Sequence, residues 1–415
     1  MSNASADHSG QGQRATAFLE SLRTASRASY EETKLPLRTG HAWRYTDPAI
    51  FIPKTITPGI VAPEGGRRIL PATPTPGISI VRFNEAVGAD ALAIEEFLGS
   101  AVSAADGKLE SLDLASWQDA VLVNIAPGAS PDEPIHLSTI AGTGLFSCVR
   151  LLVVAGEGSM VTLLDDYPAQ PIGNADGLGE ASPSGSGTES SYILHSTVEI
   201  IAGPSSCVRY AAMQELGSKA VFLLKQRARA QAESSILSSI FSFGGSVARA
   251  DLGTTLEGRG ASSQSFGVAV GSGTQHFDHH TAHLHRAPGT RSNFDFRAIL
   301  SGQARSVYTG SIIIEKDAPG CEAFQLNRNL MLSDTVRADS IPELEIKNDD
   351  VRCSHGSATG PVEPSQVFYL MARGLSEPEA VRLVAEGFAE QLFARVPPEI
   401  RERAHARLSA NLEAL

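Results

Sequence analysis

Two hydrophobic periods divide the chain. The middle reads with the period of a strand, most plainly in Glu343-Leu344-Glu345-Ile346, where polar and apolar positions alternate as they do when one face is buried. That run closes the third of three segments of 31 residues that begin at Gly258, Gly289 and Gly320 and align without a gap. Stacked, they set Val268 over Ile299 and Leu330, Gly271 over Gly302, and Ala282 over Ile313 and Leu344. Strands in equal rows, with glycine or proline at the corners, predict coils of a β-solenoid, each burying against the next what it cannot bury alone. Ile313 and Leu344 are then expected as paired neighbours about 5 Å apart.

Upstream, Val121-Leu122-Val123-Asn124-Ile125 and Val149-Arg150-Leu151-Leu152-Val153-Val154 are further strand runs closed by turns, so the solenoid is expected from about Ser116 to Gly360. Residues 168–191, rich in Gly, Ser and Pro, are expected as a mobile loop thrown out from one corner. Helical spacing appears at both ends. Ala15, Phe18, Leu19, Leu22 and Ala25 predict a helix from Arg14 to about Ser29, preceded by a disordered tail over residues 1–13, and Ala89 to Leu98 is a shorter helical patch. Residues 53–77 read as a Pro/Gly-rich linker, giving a mainly helical region over 1–115. Trp43 and Tyr45, flanking Arg44, are expected to pin a loop onto the core rather than to line a ligand site. After Gly360, Val367, Leu370 and Met371 mark a helix that ends at Gly374. Ser376 and Glu379 form a capping box before the stripe Val381, Val384, Ala385, Phe388 and Leu392, and Ile400, Ala404, Leu408 and Leu412 form another. The stripes over 361–415 must be buried against the solenoid, each other or a partner.

Charge and composition narrow the function. A net charge of −12 without a long basic run argues against nucleic acid as the main partner. No stretch has the apolar length of a membrane span, and Met1-Ser2-Asn3-Ala4-Ser5 lacks a secretion signal. Four scattered cysteines, at 148, 207, 321 and 353, do not make a disulfide framework, so a cytoplasmic protein with reduced thiols is expected. No phosphate loop occurs and Gly271-Ser272-Gly273 lacks the context of a dinucleotide site, so no nucleotide is expected on this chain. Nucleophile-elbow and Cys-x-x-Cys motifs are also missing.

Two groups remain as candidate ligands. The histidines 276, 279, 280, 283 and 285 suggest a metal, but the stacking sets His283 and His285 in register with Glu345 and Lys347, on an outward face, and favours a solvated or hydrogen-bonded surface. Cys353 and His355, two apart on a strand, leave by the same face and offer a soft thiolate and an imidazole. In the stacked rows His355 falls below Phe324 and Asn293, and Cys353 below Glu322 and Arg291. Two donors do not complete a site; a buried cysteine beside a hydrogen-bonded histidine is the bland alternative.

A resemblance bears on this choice. The runs Leu326 to Asp334, Pro342 to Gly360 and Val367 to Leu375, with Gly302 to Gly310 and the stretch Trp43 to Thr46, resemble the SufB/SufD family of iron-sulfur cluster assembly proteins. The likeness covers about 265–395 strongly and the N-terminal region weakly. It implies a right-handed parallel β-helix between helical segments, a SufB–SufD pair joined through the β-helices, and a SufC ATPase on the C-terminal helices. Cys353-Ser354-His355-Gly356 is similar to the SufD branch, whereas the SufB branch carries His-Glu in place of His355-Gly356 and a cluster-assembly cysteine at or beside Asn327. The resemblance implies that His355, as a metal ligand, and Cys353 beside it help hold a transient cluster at the interface with SufB, with Cys321 a spare thiol. A non-enzymatic scaffold follows, able to form a homodimer when alone. Two other readings stand beside it, a structural partner of SufB that ligates nothing and a solenoid enzyme acting on polysaccharide; the second finds no defensible pair of carboxylates.

Overall fold

The computed structural model of the protein describes residues 3–53, 65–142, 145–169 and 191–414. Its centre is a parallel β-solenoid of about eight turns. The first strands are β1 (Arg67–Ile69), β2 (Ile78–Arg82), β3 (Asp119–Ile125), β4 (Ile135–Ile140), β5 (Phe146–Ala155), β6 (Met160–Tyr167), β7 (Tyr192–Ala202), β8 (Cys207–Gln214) and β9 (Ala220–Ala230). The stack continues through β10 (Ser235–Ser242), β11 (Val247–Leu256), β12 (Ser262–Gly271), β13 (His276–His285), β14 (Arg291–Leu300), β15 (Arg305–Ile314), β16 (Cys321–Met331), β17 (Arg337–Ile346) and β18 (Val351–Pro361). One sheet runs β1-β4-β6-β8-β10-β12-β14-β16-β18 and the other β17-β15-β13-β11-β9-β7-β5-β3-β2. Each coil lays one strand in each sheet, and the pairings from β3 to β18 are parallel.

Alternation along each strand fills the space between the sheets. Phe294, Phe296, Ala298 and Leu300 from β14 meet Phe277 from β13 and Tyr308, Ile312 and Ile314 from β15 in one continuous core. Several strands are covered on their outer face too, which is why Leu151 to Val154 of β5 reads as an apolar run with little alternation. Helices α1 (Asn3–Glu32), α2 (Gly88–Phe97) and α3 (Lys108–Ser116) supply part of that cover, through Leu19, Ile94, Leu98, Leu112 and Trp117 against Leu122, Phe146 and Leu152.

The two ends of the stack differ. At the start, β2 runs antiparallel to β3 and β1 antiparallel to β4, so no parallel edge is left free. At the far end, among the described residues, β17 and β18 each pair on one side only. There the chain continues into α4 (Pro364–Met371), α5 (Glu377–Phe393) and α6 (Pro398–Glu413). Ser376 and Glu379 form the expected capping box of α5. Ala385, Ala389, Leu392 and Phe393 of α5, with Ile400, Ala404, Leu408 and Leu412 of α6, pack on the outer face of the even-numbered sheet, from Leu164 of β6 to Leu330 of β16. Helix α4 buries none of its residues.

Several expectations need correction. The steps between coils are not a constant 31: Ser262 pairs with Arg291, Arg291 with Glu322, Arg305 with Arg337 and Cys321 with Val351. Strand pairing holds the coils in line while the corners absorb an extra residue or lose one. Leu344 therefore pairs with Ile312, not Ile313, Val268 with Arg297, not Ile299, and Gly271 with Leu300, not Gly302. Gly302 stacks instead on Gly273, where a Cβ would stand 2.9 Å from the Gly273 nitrogen; both sit at positive φ, as this corner requires. Helix α1 begins at Asn3, so the residues assigned to a tail continue the helix, and Ser26 rather than Ala25 takes the buried position. The linker contributes β1, and the N-terminal region contributes β2. Most of the loop expected over 168–191 lies outside the described residues.

Phe393, wholly buried at the junction of α5 and the even-numbered sheet, supports both. Phe393→Ala is expected to cost about 3–5 kcal/mol in chemical denaturation, the range for deleting a core aromatic ring.

Candidate functional site at the open end of the solenoid

An interior side chain at the last coil has a neighbour above and none below. Two interior columns reach this end. In one, Ser292, Ala323 and Cys353 follow one another; in the other, Phe294, Gln325 and His355. The expected columns, through Glu322 and through Phe324, are thus off by one residue, and a slip of one turns a side chain to the opposite face. Glu322 lies above Arg352, and Phe324 above Ser354.

Cys353 is half-buried and packs against the main core. Burial pushes its thiol above the ordinary range, partly offset by a backbone hydrogen bond from Ala323. It is a protonated thiol at neutral pH, and a metal would have to displace that proton. His355, two residues on, shares its face and is exposed, because no further coil covers it. Cys321 is fully buried, its Sγ 3.1 Å from Thr290 Oγ1 and 3.6 Å from the Ala287 carbonyl, so its thiol is engaged inside the stack. Asn327 is buried with its amide donating to the Phe296 carbonyl at 3.0 Å. Among the described residues no three His, Cys, Asp or Glu side chains are grouped so as to enclose a metal. Cys353 and His355 present one sulfur and one nitrogen donor on a shared face, which would fit iron only with further ligands from beyond the described residues.

Beside β18 lies a groove of about 300 Å³, lined among others by Asn293, Asp295, Phe324, Gln325, His355 and Arg395. Arg395, just past α5, reaches the buried Asp295 carboxylate at 3.5 Å. Arg297, next but one on β14, donates to the Phe388 carbonyl of α5. The C-terminal helices are thereby tied to the sheet that carries Cys353 and His355. Neither Arg395 nor Gln325 was found from sequence; the correct register alone would have placed Gln325 beside His355.

The histidine run is not a surface. His283 pairs with Ile312 and His285 with Ile314, and both rings are buried inside the solenoid. His285 is bonded at both nitrogens, to Thr290 Oγ1 at 2.7 Å and Ser292 Oγ at 2.8 Å. His283 meets Ser263 Oγ at 2.9 Å and stacks on Phe294. His279 meets Ser242 Oγ at 3.1 Å and His280 meets Asp251 at 3.1 Å. His276 contacts Thr46 Oγ1 at 2.8 Å, and Thr46 donates to Asp278. That last contact docks the Trp43–Tyr45 loop, which is also held by Arg249 stacked 4.0 Å over Trp43 and Arg305 over Tyr45. The loop is pinned to the core, as expected. Burial holds His283 well below the usual imidazole range and lowers His279 and His285 to about 4.

Comparison with known proteins gives a consistent result. The family profile described as SUF system FeS cluster assembly, SufBD core domain, matches residues 138–388. An iron-sulfur cluster assembly SufBD family protein of Mycobacterium bovis is 36% identical over 179 residues, 41% of this chain and 45% of the relative. A protein of the same description from Mycobacterium leprae is 30% identical over 281 residues, 67% of this chain and 30% of the relative. The chain thus spans less than half the length of these relatives.

The buried histidines carry a pH dependence. The unfolded chain takes up protons near pH 6.5 at His279 and His285, the folded one only near 4. Stability from these residues is complete above about pH 6.5 and falls as pH drops toward 4, by on the order of 3 kcal/mol per histidine. Urea unfolding midpoints measured from pH 7 to 4.5 should fall steeply, and less steeply in His285→Asn.

Proposed function

This chain belongs to the SufBD family of iron-sulfur cluster assembly proteins, and on that premise we propose that it is a non-enzymatic scaffold subunit of the SUF complex, of the SufD kind, working in the cytoplasm. The observation that carries the reading is the open end of the solenoid. There a thiol and an imidazole share one face, the next coil is missing, and two edge strands of ten and eleven residues leave their outer backbone groups unpaired. Such edges favour pairing with another chain. In this proposal SufB is that chain. Its strands continue the stack and its ligands complete the half-site, so that the nascent cluster, as cargo, is held between the two subunits by His355, with Cys353 beside it. Alone, the same edges would accept a second copy of this chain.

Chemically, His355 offers a ring nitrogen to iron and Cys353 a sulfur once its proton is lost. Energy has to come from elsewhere. We assign the ATPase SufC to the C-terminal helical region, where α4 leaves Phe368 at 74% exposure and Tyr369 and Met371 exposed beside it. The link from α5 through Arg395 and Arg297 to β14 gives a route by which SufC would reshape the seam. That coupling requires SufC to bind one arrangement better than the other.

Two measurements check this. His355→Ala is expected to leave the melting temperature and complex formation unchanged while anaerobic absorbance of the co-expressed three-protein complex loses its cluster band; a normal cluster yield would refute the role. Replacing Phe368 and Tyr369 together by Ala should weaken SufC binding at least tenfold, or about 1.4 kcal/mol, in calorimetric titration, with no change in the protein's own unfolding.

A further inference from the structure

The residue directly above His355 in its column is Gln325. It is 4% exposed, yet its carboxamide Oε1 has no hydrogen-bond partner. A buried acceptor left unpaired costs roughly 1–3 kcal/mol, so it calls for a partner at some stage of the protein's work. Its surroundings fix where that partner can come from. Above lies Phe294, whose ring has no hydrogen-bond donor. Across the lumen, Gly310 leaves room for the amide to lie down: a Cβ there would stand 2.3 Å from Gln325 Nε2 and 2.7 Å from the Tyr308 hydroxyl. That hydroxyl is itself bonded to Thr281 Oγ1 at 3.0 Å. Below is His355, the Cα partner of Gln325 on β18, whose side chain leaves by the same face of the sheet from a backbone about 4.8 Å away, the spacing of paired strands.

We propose that Gln325 is a positioning residue for His355, accepting one ring N–H through its Oε1 and so leaving the other ring nitrogen free to face the cluster. The inference rests on the reading of His355 as a cluster ligand and adds the residue that sets its tautomer. Ligating histidines generally give their second N–H to such an acceptor, which fixes both the tautomer and the orientation of the ring. Tyr308 and Gly310 act behind Gln325, the first as a wall and the second by its lack of a side chain. The bond is not made in the structure, where Oε1 is unpaired; forming it takes a turn of the exposed His355 ring towards Gln325 and no iron, so it can be sought in the free protein.

The test uses the full chain with ¹⁵N-labelled histidine, in two-dimensional NMR at about pH 8, above the ordinary imidazole range. In the unaltered protein His355 should show one predominant tautomer. Gln325→Leu, which keeps the size and removes the acceptor, should turn that signal into a mixture of the two tautomers, whereas Gln325→Glu, which keeps an acceptor, should restore the single form. Gly310→Ala, which pushes the amide aside from across the lumen, should behave like Gln325→Leu and serves if that variant fails to fold. Identical His355 signals in the unaltered, Gln325→Leu and Gly310→Ala proteins would overturn the proposal. Cluster yield of the co-expressed complex separates the two levels of the argument. Loss with His355→Ala and a several-fold decrease with Gln325→Leu support both. Loss with His355→Ala but full yield and an unchanged tautomer with Gln325→Leu overturns the positioning role alone, and full yield with His355→Ala overturns the ligand reading beneath it.

Discussion

A stack of parallel strands satisfies its backbone by pairing each coil with the next, so every such stack has to end somewhere. Everything distinctive about this protein follows from how unequally its two ends are treated. At the start, β1 and β2 turn antiparallel onto β4 and β3, and three helices cover the first coils of the odd-numbered sheet. At the other end, β17 and β18 stop with one side unpaired. The same interior columns that bury Phe294 and Ala323 in the middle of the stack expose His355 and half-expose Cys353 at its end. A side chain that would be core one coil earlier becomes available for chemistry.

The solenoid was legible in the sequence because alternation and corner glycines are local signals. Its register was not, because register depends on corner length, and a corner can take up a residue without any mark in the strands it joins. The consequence was concentrated in His283 and His285. A slip of one residue placed them outside, in a row with Glu345 and Lys347, when they lie inside above Leu344 and Ile346. Cys353 and His355 kept their shared face because a spacing of two survives any slip. Their neighbours changed, and with them the chance of seeing Gln325. At the C-terminus the stripes on α5 and α6 found the sheet. The stripe on α4 is only partly covered, with Val367 and Leu370 half-buried and Met371 exposed, an outcome that periodicity cannot foresee since it measures the capacity to be buried and not the surface that does it.

Polar groups inside the stack are treated with the same economy. Serines and threonines meet His279, His283 and His285, and Tyr308 meets Thr281, so the middle coils carry hydrogen-bonded side chains in a lumen otherwise filled with rings and branched chains. Such groups specify pairing more sharply than apolar packing does, since a shifted coil would leave them without partners. The matching is not complete at any level of the stack: Gln226 Oε1 and Nε2, Ser238 Oγ and His283 Nδ1 are unpaired in the middle coils, as are Gln325 Oε1 and Asn329 Oδ1 near the open end.

The course of α5 and α6 over the outer face has a mechanical consequence. These helices touch strands from β6 to β16, five strand spacings or about 24 Å. Arg403 grips Asp166 and Arg407 grips Glu215 at the far part of that span, while Arg395 and Arg297 tie the near part to β14. The pair works as a splint laid along the spine of the solenoid. A load applied at α4 cannot peel one coil from the next, because it is spread over six strands of the even-numbered sheet. What it can do is tilt the splint about its anchored end, and the displacement is then greatest at the unsplinted edge, on β18.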